Sequence, residues 1–87
     1  MIDDKALDDI LGFVNAEGGE ADVLAKLRER WPGMHFTHCL EDELCLEEPV
    51  REGKVANVYV VDGSDHCMKI IKDPQHATGI LIAELEQ

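Results

Sequence analysis

The chain has 87 residues, 45 % of them hydrophobic, with nineteen acidic side chains against eight basic ones and a formal net charge of −11. A chain of this length holds one hydrophobic core and so one domain, residues 1–87. The charge argues against nucleic acid, whose affinity for proteins comes mostly from Lys and Arg neutralising phosphates, and against an anionic membrane surface.

No apolar run reaches the roughly 18 residues that a transmembrane helix needs. The opening MIDDKALDDI is acidic, where a signal peptide needs a positive start and an apolar stretch, and a cytoplasmic address is the expectation. Cys39, Cys45 and Cys67 are an odd number at no standard spacing and include no CxxC, a pattern of reduced thiols rather than a disulfide framework.

Asp3 or Asp4 is placed to cap a first helix, predicted over about 4–16. Leu7, Ile10, Leu11 and Val14 fall at i, i+3, i+4 and i+7, on one helical face. Gly18-Gly19 stops it. A second helix is predicted over about 20–31, with Val23, Leu24, Leu27 and Trp31 at helical spacing and Pro32-Gly33 at its end. Neither helix is long enough to be stable alone, so the pair reads as a helical hairpin that packs on something else.

The next apolar segment, 34–40, reads as a strand with Met34, Phe36, His38 and Leu40 on one face and His35, Thr37 and Cys39 on the other. The acidic stretch Glu41 to Lys54 reads as a surface loop. Strands are predicted over 55–62, 66–72 and 78–85, with a Gly63-Ser64 hairpin turn between the first two and Asp73-Pro74 turning the chain into the last. The order gives an α+β domain: an N-terminal helical hairpin packed on one face of a four-stranded antiparallel β-meander.

A two-residue turn at Gly63-Ser64 sets Val61 opposite His66 and Val60 opposite Cys67. Val58, Val60, Cys67 and Ile71 then share one face, with Lys69 as its discordant member, and Asn57, Tyr59, Val61, His66, Met68 and Ile70 the other. Both faces are substantially apolar, so the one without helices is expected to meet a protein partner or a second copy of the chain. The expected contact residues are Tyr59, Val61, Met68, Ile70, Ile80 and Ile82.

Two His-Cys pairs, His38-Cys39 and His66-Cys67, are the sharpest chemical feature. Two His and two Cys make a plausible tetrahedral zinc set. Adjacent strand residues point to opposite faces, however, so at most one member of each pair converges on a given side. The paired loop spacing of known zinc frameworks is missing. The expectation is no resident cofactor, with His38, Cys39, His66 and Cys67 as the candidates should a metal be held. A catalytic set of Cys67 with His38 or His76 and Asp65 can be drawn, but acidic surroundings raise a thiol's pKa and so oppose thiolate formation. No phosphate loop, nucleophile elbow or HExxH is present, and the chain is not expected to be an enzyme.

The segments HFTHC, an acidic patch followed by EP, NVYVVDGSDHC and DPQHATGILIAE occur in that order between about Trp31 and Glu84. In them the chain resembles a family of small proteins of nitrogen-fixing bacteria, often encoded among nitrogen-fixation genes. The resemblance implies a cytoplasmic accessory protein and carries over no catalytic residue. The functional expectation is a small acidic accessory or protein-interaction module; the alternative is a metal- or cluster-handling protein that uses its His and Cys residues, and a weaker one is an acidic decoy for a nucleic-acid-binding protein.

Overall fold

The computed structural model describes residues 2–18, 20, 22–41, 48–63 and 69–85. Helix α1 spans Asp4–Glu17 and α2 spans Val23–Arg30. The strands are β1 (His35–Leu40), β2 (Ala56–Asp62), β3 (Lys69–Ile71) and β4 (Gly79–Glu84), with a 3-10 turn at Pro74–His76 before β4. Among the described residues no helix is long and apolar enough to cross a membrane.

The first helix forms where capping and periodicity coincide. The Asp3 carboxylate accepts a hydrogen bond from the Ala6 amide at 2.8 Å, satisfying one of the orphan donors of the first turn. Leu7, Ile10 and Val14 are buried, each contributing about 1.5–3 kcal/mol of hydrophobic burial. Gly18 ends the helix at φ 110°, a conformation that a side chain would disfavour, and its amide bonds the Val14 carbonyl. The second helix begins at Val23, later than the predicted 20, with Asp22 at its N-cap. It buries Val23 and Leu27 and carries Arg28 and Arg30 in its last turn, where the helix dipole favours positive charge. The two helices meet where Phe13 sets its ring edge-to-face on Trp31, centroids 5.9 Å apart.

The sheet departs from the expected meander. Its order is β1-β4-β2-β3, with β4 antiparallel to β2 but parallel to β1, so the sheet is mixed. The physical reason lies in β4 itself: Gly79 to Ala83 is buried at every position, so both edges and both faces of this strand are enclosed. It takes the place between β1 and β2. To reach it the chain passes from β3 across β2 through the 3-10 turn, and Ala77 is buried against the helix-side core on the way. The Ile2 amide bonds the Pro74 carbonyl at 3.0 Å, tying the start of the chain to this crossover.

The hairpin register also differs. Asp62 pairs with Lys69, Val61 with Ile70 and Val60 with Ile71, so the first pair closes beyond residues 63–68 rather than around a two-residue turn. Relative to the expected pairing the return strand has slid by four positions. An even slide preserves the side-chain alternation, so Ile71 still joins the face of Val60 and Ile70 that of Val61.

The helices cover the face of Phe36, Val58, Val60, Ile80 and Ile82. Ile80 and Ile82 pair with Val60 and Val58 and are wholly buried there, so they do not belong to the face of Tyr59, where the contact set placed them. The second face holds Tyr59, Val61, Leu81 and Ala83 with Cys39 and Ile70 against them. Tyr59 and Ala83 have no exposed surface, and Leu81 keeps 7 %. The apolar side that the sequence marked as open to a partner is therefore enclosed within a single chain.

Candidate functional site

The strand alternation that divides His38 from Cys39 is realised in β1. His38 pairs with Ile82 on the helix side, and Cys39 pairs with Ala83 on the other. His38 Nε2 lies 3.0 Å from Glu84 Oε1, with 17 % and 30 % of the two side chains exposed, so the pair is half withdrawn from water. Parallel pairing of β1 with β4 creates this contact; a meander would keep the two strands apart. His66, Cys67 and Met68, and with them Asp65, lie outside the described residues. Among the described residues no group of three or more His, Cys, Asp and Glu is placed to hold a metal ion.

Of the catalytic set that could be drawn around Cys67, the described members are its two alternative histidines, His38 and His76. His38 stands toward the end of β1, beside Ile82, whereas His76 sits in the 3-10 turn before β4 begins. His76 is exposed, and its Nδ1 lies 2.7 Å from Asp73 Oδ2. The Asp73 carboxyl is held below its ordinary range first by the Gln75 amide and then by His76.

A polar anchor on the enclosed sheet face was not legible in the sequence. Tyr59 donates its hydroxyl to Glu41 Oε1 at 2.7 Å. The other oxygen, Glu41 Oε2, is buried and makes no hydrogen bond. Glu41 opens the acidic stretch and read as a solvated loop residue. Its odd-numbered position, in phase with His35, Thr37 and Cys39, was the available signal that it points to the side of Tyr59.

An uncharged stretch of chain runs along β1. From Trp31 to Leu40 the chain carries no Asp, Glu, Lys or Arg, although 31 % of its residues are charged. β1 ends the sheet on one side. Leu40, at its end, is 46 % exposed and is the exposed large hydrophobic among the described residues. The Arg28 guanidinium reaches the Phe36 carbonyl at 3.2 Å, which sets a positive charge toward the start of β1, and Glu84 sets a carboxylate toward its end. The other end of the sheet is guarded: β3 has three residues, begins at exposed Lys69 and is followed by exposed Lys72.

Residues 14–85 match the family of unknown function DUF6129, and the chain belongs to that family. No curated protein and no solved structure matches the chain.

Proposed function

We propose that the chain is a small acidic protein-interaction module, accessory to nitrogen fixation, that meets its partner along the β1 side of the sheet. The observation that carries this reading is the uncharged rim from Trp31 to Leu40, with Leu40 46 % exposed, on a chain of net charge −11. An acidic chain whose edge strand carries no ionic side chain of its own lowers the desolvation cost that charges in that strand would impose on a docking surface. The acids elsewhere, including the exposed Asp3, Asp4, Asp8 and Asp9 around α1, favour partners without a strong negative field and oppose nucleic acid and anionic membranes. The link to nitrogen fixation rests on the motifs between Trp31 and Glu84, and with it comes a cytoplasmic address.

A photo-crosslinking residue at position 40, expressed in a nitrogen-fixing host, tests the reading. Discrete crosslinked species from position 40, missing when the same residue replaces exposed Gln75, are the expected result. Equal or no labelling at the two positions would sink it.

The metal-handling alternative keeps His38, Cys39, His66 and Cys67 as its candidates. The placement of His38 and Cys39 on opposite faces favours at most one of them as a ligand to any single ion. Elemental analysis of protein purified without oxygen or chelators decides it: a stoichiometric metal that is lost on Cys67→Ser would promote this reading over the first.

A further inference from the structure

We infer that Arg28 guards the sheet edge: its guanidinium, seated on the Phe36 carbonyl, keeps a further strand from adding to β1. This role stands whether or not the β1 rim meets a partner through its side chains.

An edge strand offers its outward N–H and C=O groups to any other strand, and folded chains protect such edges with short strands, charged side chains, proline or a cover. β3 has two of these protections: it is three residues long, with Lys69 in it and Lys72 just after it. β1 has none of its own. It runs over six residues, contains no proline and carries no Asp, Glu, Lys or Arg.

The protection comes from the neighbouring helix. Arg28, exposed in the last turn of α2, reaches the Phe36 carbonyl at 3.2 Å. In the sheet β1 is bonded to β4, and the backbone groups of successive strand residues alternate between the two edges. A carbonyl that a helix side chain can reach from outside the sheet lies on the edge away from β4. Met34 shares the parity of Phe36, and its amide already donates to the Trp31 carbonyl at 3.4 Å. The outward groups at the start of β1 are therefore taken up by the chain itself. To pair with Phe36, an incoming strand has to break a charge-assisted hydrogen bond and push the guanidinium aside. A partner that meets the rim with Arg28 in place does so through side chains, not by extending the sheet.

Sedimentation equilibrium of the full native chain, Arg28→Met and Lys5→Met at tens to hundreds of micromolar tests this. Arg28→Met removes the donors. Lys5→Met removes the same charge and adds the same apolar side chain at an exposed position of α1. Arg28→Met should self-associate about tenfold or more tightly than the native chain, and Lys5→Met should not. Adding Leu40→Lys to Arg28→Met places a charge in the strand itself and should return association to the native level. Hydrogen exchange locates the contact: the amides of Phe36 and His38 should gain protection in associated Arg28→Met, while β2 and β4 keep theirs. Arg28→Met that associates no more than the native chain or Lys5→Met overturns the role. So does association that leaves the Phe36 and His38 amides unprotected, since it would use another surface. Association accompanied by lost protection in β2 and β4 overturns it as well, because it would be aggregation of an unfolded chain.

Discussion

Replacing Tyr59 by Phe removes one oxygen from the enclosed face of the sheet and tests whether that face is as dry as its burial indicates. Tyr59 has no exposed surface, and its hydroxyl is 2.7 Å from Glu41 Oε1. Glu41 Oε2 is already buried without a partner. The substitution therefore takes a donor from a carboxylate that cannot turn its other oxygen to recover one. A hydrogen bond to a charged group is worth about 1.5–3 kcal/mol, and leaving the partner buried forfeits that amount. Against a total stability of roughly 4–13 kcal/mol for a chain of this size, the loss is large. With a urea m-value of about 1 kcal/mol/M, the midpoint should fall by about 2 M with m unchanged. Fluorescence of Trp31, half-buried against Phe13, reports the transition. Glu41→Gln completes a double-mutant cycle, and the coupling should account for most of the single loss. A midpoint that stays within the error of the measurement, or rises, would show that water reaches Glu41 and that the second face is open; phenylalanine would then gain from its greater hydrophobicity.

Three further outcomes follow from the packing and the charges. In Gly79→Ala a Cβ would stand 2.8 Å from the His35 carbonyl oxygen and 3.3 Å from Val61 Cγ2, between two strands that cannot both retreat; thermal unfolding should show a loss of about 1–3 kcal/mol, as in other overpacked cores. Arg51 bonds Asp8 at 2.9 Å and Asp4 at 3.3 Å, tying the segment before β2 to α1. Because both acids are mostly exposed, Arg51→Met should cost only about 0.5–1 kcal/mol in low salt. The cost should fade as salt screens the pairs, which denaturation at two ionic strengths will show. The Asp73 carboxyl should titrate below its ordinary 3.8 by NMR. His76→Ala should leave most of that depression in place, since the Gln75 amide is the larger cause. A folded value below the unfolded one gives stability that is present above the unfolded pKa and lost as pH falls through the folded one, so any effect lies in acid, below about pH 4.

Helical periodicity was legible because it is local. Leu7, Ile10 and Val14 fall on one face at any tertiary arrangement, and Asp3 caps whatever follows it. Strand faces were legible for the same reason: a period of two survives a four-residue slide, so Ile70 and Ile71 fell on the correct sides although their partners were assigned wrongly. Register and pairing partners are not local. The Gly63-Ser64 signal marks a bend but cannot say where hydrogen bonding resumes, and the ladder resumes at Lys69. The candidate site suffered in proportion to its dependence on those partners. His38 and Cys39 were separated correctly by alternation alone. Glu84 went unnoticed beside His38, because nothing in the sequence says that the fourth strand lies next to the first.

That order carried a signal nonetheless, in the evenness of each strand's apolarity rather than in its sequence neighbours. A central strand loses water from both faces and both edges, and reads as a continuous apolar run; an edge strand keeps polar side chains. Gly-Ile-Leu-Ile-Ala in β4 and Val-Tyr-Val-Val in β2 are apolar without a break. His-Phe-Thr-His-Cys-Leu in β1 alternates, and Lys-Ile-Ile in β3 is short and opens with a charge. Ranked in this way, β2 and β4 take the middle and β1 and β3 the margins, which excludes a meander, where β2 and β3 would be central. With β2 joined to β3 by a hairpin, the only order left is β1-β4-β2-β3. The same ranking explains why β1 lies at a margin: His35 is exposed and Thr37 and His38 are only partly buried, and polar side chains suit a strand with one edge toward water.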